Sequence, residues 1–255
     1  MTMEHPWTRY VAIGDSFTEG IGDPETLSPG GHRGWADRVA DVLAESVEDF
    51  AYANLAIRGR LLQQIAEEQA EAAIELGPNL ISVSAGGNDL IRPGTDPDVI
   101  SERFESMIRV LRRDGATVLM FNGPDIGMTP VLGRVRGKVA IYNENLRAIA
   151  HRHDAIVADM WALGQLKDPR MWAPDRLHFS PLGHHTIARM ALEALNVDND
   201  LEPLIPEPMA HVAWRQARVD DIGWAREHLV PWVLRRIRHE SSGDNISPKR
   251  PGFDI

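Results

Sequence analysis

The sequence predicts an α/β protein with a mostly parallel sheet of about five strands, helices on both of its faces and a C-terminal helical extension. Short apolar runs alternate five times with longer amphipathic stretches, which is the pattern of successive β–α units. The chain has 255 residues, enough for one sizeable domain, and its 43% hydrophobic and 25% charged content is typical of globular proteins. Right-handed crossovers then place the connecting helices on the two faces of the sheet.

The first half of the chain supplies two strands and two helices. A buried strand over residues 10–13 ends at Gly14, and a second strand spans residues 50–55. Between them, residues 33–46 carry large apolar side chains at helical spacing. Residues 61–76 are rich in good helix formers and end at a Gly-Pro pair, so we predict a single helix there.

The second half of the chain continues the alternation. Short apolar runs predict strands over residues 80–84, 117–121 and 155–158. A polar N-cap followed by proline opens two of the three predicted helices. These helices run from Asp96-Pro97 to residues 112–115, over residues 139–151, and from Ser180-Pro181 to about residue 195.

A change in composition after residue 196 marks the end of the α/β body. Three prolines between residues 203 and 208 form a linker-like stretch, and a helix is predicted over residues 212–239 with no further strand. We therefore divide the chain into an α/β domain over residues 1–200, a helical extension over residues 201–240 and a flexible tail over residues 241–255. The Ser, Gly and Pro content of the tail is typical of disorder.

The predicted C-terminal helix carries Trp214, Trp224 and Trp232, with Arg235, Arg236 and Arg238 at its end. Packing of its apolar residues on the body is one interpretation, with the arginines next to the negative end of the helix. A lid over the site, a contact between copies of the chain in a homo-oligomer, and a helix on a membrane surface are the alternatives.

The composition excludes several kinds of chemistry and of partner. The chain has no cysteine, which removes thiol nucleophiles, cysteine-bound metals and disulfides. Its net charge of -10 argues against a nucleic-acid partner, because such binding requires clustered lysine and arginine. The sequence contains neither an apolar run of membrane-spanning length nor a secretion-signal pattern. We expect a cytoplasmic protein without stable membrane insertion that acts on a small molecule.

Ser16 is the candidate nucleophile. It follows Gly14 and Asp15 where the first strand ends, and ligand sites of parallel α/β sheets form beyond the carboxyl ends of the strands. The alternative is a serine that only caps the next segment. A catalytic serine also needs a base within hydrogen-bond reach and an acceptor that orients the base.

Asp175 and His178 are the candidates for this acceptor and this base. His178 is the only one of the ten histidines with an acidic residue three positions earlier, a spacing that brings a carboxylate close to an imidazole. The pair lies just before the last predicted helix, in a loop of the kind that carries function in α/β proteins. The alternative is a surface histidine near an unrelated aspartate.

Gly59 and Asn88 are the candidate donors to a developing oxyanion. Gly59 follows the second strand and offers a backbone N–H, and Asn88 follows the third strand and offers a side-chain amide. Each is also explained as an ordinary turn residue. Together with Ser16, however, they follow strands one, two and three of the predicted sheet.

The segments Gly14-Asp15-Ser16-Phe17, Gly59, Gly86-Gly87-Asn88-Asp89 and Asp175-Arg176-Leu177-His178 together resemble the four sequence blocks of the SGNH (GDSL) hydrolase superfamily, of the lipase and esterase type. The order and the spacing of the blocks both match, and the resemblance covers about residues 10–195. It implies a three-layer, flavodoxin-like α/β/α fold, which agrees with the alternation of elements. It also implies a serine esterase or acylhydrolase that requires no cofactor and no metal.

The resemblance implies a role for each matching residue. Ser16 would be the nucleophile and, through its backbone N–H, the first oxyanion donor. The Gly59 N–H and the Asn88 side chain would complete the oxyanion hole. His178 would be the base and Asp175 the group that orients it.

Two positions depart from the family pattern. Phe17 stands where the GDSL name has leucine, and Arg60 follows Gly59 where many relatives have a small or acidic residue. Neither departure removes an atom of the implied triad. Arg60 could change which acyl or sugar group is accepted, so acyl length and the choice among lipid, sugar acetate, thioester and simple ester stay open.

A flavodoxin-like module that binds a nucleotide or small molecule without catalysis is the alternative from another class, with glycine-rich turns as phosphate cradles. Residues 133–139 superficially suggest a P-loop but have one residue too few between the glycines. Gly20 and Gly22 lack the third glycine of a dinucleotide fingerprint. The intact triad set argues against an inactive binding module.

A metal hydrolase is the other alternative, with histidine ligands. His151 and His153, and also His184 and His185, are close enough in sequence to suggest a pair of ligands. Neither pair lies in an H-E-x-x-H arrangement. In the family, the position of His184 commonly holds a histidine of structural role.

Overall fold

Five parallel strands form the central sheet, in the order β2-β1-β3-β4-β5. This arrangement confirms the predicted α/β fold with a parallel sheet. The structure is a computed structural model that describes residues 5–129, 132–206 and 242–253, together with residues 223 and 227. The strands are β1 (Arg9–Gly14), β2 (Ala51–Asn54), β3 (Leu80–Ser84), β4 (Thr117–Phe121) and β5 (Ile156–Ala158).

Helices connect the strands and cover both faces of the sheet. The longer helices lie where amphipathic stretches of the sequence predict helix. Within the described residues the helices are α1 (Ser16–Glu19), α2 (Gly34–Ala44), α3 (Leu62–Glu68), α4 (Ala70–Glu75), α5 (Gly87–Leu90), α6 (Pro97–Leu111), α7 (Arg136–His153) and α8 (Pro181–Ala194).

Two hydrophobic cores lie on opposite faces of the sheet, which gives three layers. Val11 and Ile13 of β1 point into the core that α3, α4, α6 and α7 cover. Tyr10 and Ala12, which alternate with them, point into the core that α2 and α8 cover, where Trp35 is fully buried. Strands buried on both faces are continuous apolar runs, which explains why β1 lacks an alternating pattern.

The single helix predicted over residues 61–76 is instead two helices, α3 and α4, that meet at Gln69. The Gln69 side chain is buried and turns toward the end of β1. Its Oε1 accepts the Gly14 N–H at 2.8 Å, and its Nε2 donates to the Gly14 carbonyl at 3.0 Å. Helix propensity predicts the continuous helix because it does not include this long-range contact.

Within the segment predicted as a flexible tail, residues 241–255, the structure packs residues 242–253 on the body. Arg250 pairs with Asn54 at the end of β2 through two backbone hydrogen bonds of 2.9 and 3.3 Å. The Lys249 side chain is 2% exposed and forms an ion pair with Asp37. Residues 242–253 are kept in place by contacts of single residues with segments far away in the sequence. Local composition does not reveal such contacts.

The helix predicted over residues 212–239, with its three tryptophans, lies outside the described residues, and the division at residues 200 and 240 stays a prediction. None of the helices in the described ranges has both the length and the apolar content needed to cross a bilayer.

Candidate active site

The candidate site lies beyond the carboxyl ends of three adjacent strands. β1 pairs with β2 on one side and with β3 on the other, so the chain turns in opposite directions on the two sides of β1. Such a switch point is where ligands bind in open α/β sheets. Ser16, Gly59 and Asn88 follow β1, β2 and β3 in turn, and His178 enters from the loop before α8.

Ser16 is the first residue of the short helix α1, which the sequence analysis does not predict. A tight turn precedes it: Gly14 has a φ of 152°, and a Cβ there would lie 2.7 Å from the Ser84 carbonyl oxygen on β3. Asp15 caps the helix by accepting the Phe17 N–H at 3.1 Å. Only glycine fits the turn that brings Ser16 to the edge of the sheet.

Ser16, His178 and Asp175 form a continuous chain of hydrogen bonds. The Ser16 Oγ lies 3.1 Å from His178 Nε2, and His178 Nδ1 lies 2.6 Å from Asp175 Oδ2. The other carboxylate oxygen, Oδ1, accepts the backbone N–H groups of Leu177 and His178, each at 3.0 Å. The structure therefore brings together a hydroxyl, an imidazole and a carboxylate in the order that a serine nucleophile requires.

The pKa of Asp175 lies well below its usual range. Burial opposes ionisation of this carboxyl, but the hydrogen bond from His178, the charge of that ring and two backbone N–H donors outweigh it. Asp175 is therefore a carboxylate at neutral pH. In this state it accepts a hydrogen bond from the Nδ1–H group of His178, which leaves Nε2 free to accept a proton from Ser16.

Local backbone geometry fixes the position of His178. The Ala173 N–H donates to the His178 carbonyl at 2.8 Å, and Arg176 adopts a left-handed conformation with a φ of 55°. The loop around Gly22 packs against the same segment, because a Cβ on Gly22 would lie 2.1 Å from the Phe179 carbonyl oxygen. The imidazole is consequently held between two tight turns.

The Asn88 amide connects the other two candidate donors. Asn88 lies in the short helix α5, and its Nδ2 donates to Asp15 Oδ2 at 2.9 Å and to the Arg60 carbonyl at 3.1 Å. Asp15 immediately precedes Ser16, and Arg60 immediately follows Gly59. The Asn88 side chain is therefore placed between the serine turn and the glycine turn.

Two backbone N–H groups complete the candidate site. Gly59 adopts a φ of 76°, a conformation that favours glycine. Both Ser16 and Gly59 are half-buried, and in the part of the chain that the structure describes neither N–H has an acceptor. Each of these two N–H groups can therefore donate to an oxygen atom placed at this edge of the sheet.

Burial raises the pKa of Asp15 to about 6. Hydrogen bonds from Phe17 and Asn88 and the charge of His178 favour the carboxylate but do not offset its removal from water. Asp15 therefore changes charge close to neutral pH, directly beside the Asn88 amide.

The sequence reasoning did not identify Gln69 or the ion pair between Glu19 and Arg58. A signal for Gln69 exists, because it lies seven residues after Leu62 and four after Ile65, on the apolar face of the predicted helix. The Glu19 carboxylate, 4% exposed, accepts the Arg58 backbone N–H at 2.7 Å and also binds the Arg58 guanidinium. No sequence pattern predicts this second contact.

The two departures from the family pattern have structural explanations. Phe17 packs in an aromatic cluster, with its ring centroid 5.4 Å from Trp35 and 5.5 Å from Phe121. The Arg60 side chain turns toward charged neighbours, with Glu68 at 2.8 Å and Asp244 at 3.8 Å. The Arg60 guanidinium therefore has two carboxylate neighbours.

The histidine pairs lie apart from this site or are occupied. His184 is fully buried, and its ring nitrogens bond to the Trp35 N–H and the Ile21 carbonyl. His153 Nε2 lies 2.8 Å from Glu105, and His185 Nε2 lies 2.8 Å from the Glu202 carbonyl. Among the described residues, no group of three or more His, Cys, Asp or Glu side chains is arranged to hold a metal ion.

Comparisons with known proteins identify similar sequences and structures. The model of the GDSL-like lipase/acylhydrolase family matches residues 12–186. The uncharacterized protein YpmR of Bacillus subtilis (strain 168) is 25% identical over 213 residues, which cover 72% of this chain and 80% of that protein.

Two solved structures share the fold. A member of the lipolytic G-D-S-L family from Veillonella parvula DSM 2008 is 21% identical with a TM-score of 0.57, covering 72% of this chain and 96% of its own. The lipase Lip_vut3 from a goat rumen metagenome is 20% identical with a TM-score of 0.61, covering 76% of this chain and 99% of its own.

Proposed function

Because the chain belongs to the GDSL-like lipase/acylhydrolase family and is a carboxylic ester hydrolase, we propose that it cleaves its ester through a Ser16-His178-Asp175 triad and an acyl-enzyme intermediate. The observation that carries the proposal is the unbroken series of hydrogen bonds from Ser16 Oγ to Asp175, with distances of 3.1 and 2.6 Å. Nucleophile, base and orienting carboxylate stand in the order that acyl transfer requires.

In the acylation step, Ser16 Oγ attacks the ester carbonyl while His178 Nε2 takes its proton. The carbonyl oxygen becomes an oxyanion, which accepts hydrogen bonds from the Ser16 and Gly59 N–H groups and from the Asn88 amide. Both protons of Asn88 Nδ2 are donated within the free protein, so Asn88 shares one of them with the oxyanion. His178 then gives its proton to the leaving alcohol, and the acyl group remains on Ser16.

In the deacylation step, a water molecule replaces the alcohol. His178 takes a proton from this water, which attacks the acyl carbonyl and forms a second oxyanion in the same position. Collapse of this intermediate releases the carboxylic acid and returns the proton to Ser16. Asp175 stabilises the imidazolium during both steps without accepting its proton.

An ester-hydrolysis assay tests this proposal. The purified protein would be assayed on p-nitrophenyl esters from acetyl to long acyl chains, beside Ser16→Ala and with EDTA. We expect activity that survives EDTA and falls on the order of a thousandfold or more in Ser16→Ala. Ser106→Ala, which changes an exposed serine on α6, is the matched control and should keep wild-type activity.

The remaining outcomes separate the alternatives. Equal activity of Ser16→Ala and the wild type would refute the triad. Loss of activity in EDTA would favour a metal hydrolase. A folded wild-type protein that is inactive on the whole ester series but binds small molecules would favour the inactive binding module.

A further inference from the structure

We propose that residues 242–250, called here the C-terminal strap, hold the Arg58–Gly59 peptide and thereby orient the Gly59 N–H toward the oxyanion, with Gly243 as the point of contact. The proposal rests on the proposed function, because it concerns a donor of the oxyanion hole. The strap lies outside residues 12–186, the part of the chain that the family model matches.

Lys249 anchors the strap. Its side chain is 2% exposed, and its ammonium group donates to the carbonyls of His32 and Arg33 at 3.0 and 2.8 Å and to Asp37 at 2.9 Å. Three acceptors satisfy the three protons of the ammonium group. Because a buried charge is costly unless it is fully paired, this contact selects one position for the strap.

The strap also pairs with the last residue of β2. The Asn54 N–H donates to the Arg250 carbonyl at 2.9 Å, and the Arg250 N–H donates to the Asn54 carbonyl at 3.3 Å. The side chain of the same Asn54 donates to the Thr18 carbonyl at 2.9 Å, within helix α1 that begins at Ser16. The strap is therefore joined to the segment that leads into the Gly59 turn and to the nucleophile helix.

Gly243 is buried and lies directly against the carbonyl of Arg58. A Cβ built on Gly243 would lie 2.0 Å from that oxygen and 2.9 Å from Ile57 Cγ2. The Arg58 carbonyl and the Gly59 N–H belong to one peptide unit, which is planar and trans, so they point in opposite directions along one plane. A contact that fixes the carbonyl consequently fixes the direction of the N–H donor.

Helix α1 also binds Arg58, through the side chain of Glu19. The Glu19 carboxylate accepts the Arg58 N–H at 2.7 Å and the Arg58 Nε at 2.9 Å. Asp244, next to Gly243, lies 3.8 Å from Arg60, whose carbonyl accepts the Asn88 amide. The turn with the proposed donor is thus held between the nucleophile helix and the strap.

Gly243→Ala tests the proposal with a change of one methyl group. The substitution places a Cβ where no space exists, so either the strap or the Arg58–Gly59 peptide must move. Gly252→Ala is the matched control, because a Cβ on Gly252, two residues beyond the strap, meets nothing within 4 Å. Both variants would be assayed for kcat and KM on a short-chain p-nitrophenyl ester, with melting temperature as the measure of folding.

We expect Gly243→Ala to lower kcat by about tenfold to a hundredfold, somewhat less than the loss of a whole oxyanion donor. KM should change by less than about twofold, because the oxyanion forms only after the substrate has bound. Gly252→Ala should match the wild type. A kcat of folded Gly243→Ala equal to that of Gly252→Ala would overturn the proposal.

Lys249→Met provides a second test that does not depend on Gly243. Removing the ammonium group should release the strap, so amide hydrogen exchange should become faster both in residues 242–250 and in residues 57–60. Faster exchange in the strap alone would show that the turn does not depend on it and would overturn the proposal. If Gly243→Ala is too unstable for kinetics, the exchange measurement on Lys249→Met still tests the proposal.

The two tests fail in different ways. If the wild type shows no Ser16-dependent ester hydrolysis, the proposed function fails, but the exchange experiment still measures whether the strap holds the turn. If the wild type is active and neither Gly243→Ala nor Lys249→Met changes kcat or the exchange of residues 57–60, the proposed function stands and the role of the strap is refuted.

Discussion

The two oxygens of Asp175 have different partners. Oδ1 accepts two backbone N–H groups of its own loop, and Oδ2 accepts the ring proton of His178. The first pair of contacts fixes the carboxylate plane. The second fixes the imidazole tautomer with its proton on Nδ1, which leaves Nε2 as the acceptor for Ser16.

Asp175→Asn should abolish most activity without a change in fold. The two backbone donors select the amide oxygen of the new side chain for the Oδ1 position, so its NH₂ group faces His178 Nδ1. The ring then accepts at Nδ1 and carries its proton on Nε2, where it cannot act as a base. We expect kcat to fall on the order of ten-thousandfold, measured by steady-state kinetics at neutral pH.

Asp168→Asn is the matched control for this change. Asp168 also caps its own loop and binds an arginine, Arg170, but it has no contact with the triad. Its substitution should leave kcat near the wild-type value. If Asp175→Asn retained wild-type kcat while remaining folded, the proposed role of Asp175 would be incorrect.

At the level of elements, the junction of α3 and α4 lies beside the end of β1. Gln69, the residue at this junction, lies on the apolar face of the two helices, and its amide faces Gly14. The amide hydrogen-bonds to both the N–H and the carbonyl of Gly14, as the backbone of an adjacent strand would. The strand end that leads into Ser16 is thereby held at a point where β2 has already ended.

Gln69→Leu should destabilise the protein. The Gly14 carbonyl keeps a second donor, the Ile57 N–H at 3.2 Å, but the buried Gly14 N–H loses its acceptor. One buried and unsatisfied donor costs about 1–3 kcal/mol, so we expect the free energy of unfolding to fall by that amount. Urea denaturation would measure the change, with Gln63→Leu on the exposed side of α3 as the control. Equal stability of the two variants would contradict the assigned contact.

At the level of the whole molecule, the sequence predicts the sheet well because its signals are local. β3 and β4 have the predicted bounds, and each strand is an apolar run that stays buried whatever its neighbours are. The Asp175 and His178 pair is also local, three residues apart on one loop. The helices at Ser16 and Asn88 were missed, because four residues are too few to show a helical period.

Contacts between distant segments account for the features that the sequence did not predict. Residues 242–250 have the composition of a tail, yet Lys249 meets residues more than 200 positions earlier in the chain. Similarly, Glu19 reaches Arg58 and Gln69 reaches Gly14 only in the folded protein. Each of these polar groups finds its partner only through the tertiary structure. Helix propensity and hydrophobic periodicity therefore cannot predict these contacts.

His184 connects three distant parts of the chain and should make the stability of the whole molecule depend on pH. From α8, its Nδ1 accepts the Trp35 N–H at 3.2 Å and its Nε2 donates to the Ile21 carbonyl at 3.1 Å, which requires the neutral ring. Burial lowers the pKa of His184 to about 4, although the nearby Asp23 carboxylate favours the charged form. In the unfolded chain His184 therefore binds a proton near pH 6.5, whereas in the native protein it stays neutral until the pH falls to about 4.

His184→Gln should remove this dependence, because glutamine can accept from Trp35 and donate to Ile21 without titrating. In the wild type, the contribution of His184 is complete above pH 6.5 and is lost as the pH falls toward 4, by about 3 kcal/mol. The raised pKa of Asp15 acts in the opposite direction between pH 6 and 4, but equally in both proteins. The measurement is therefore the difference between their free energies of unfolding in urea from pH 7 to pH 4. His151→Gln, which changes an exposed histidine, is the control. If the difference between the wild type and His184→Gln stays constant from pH 7 to pH 4, the buried ring does not control acid stability.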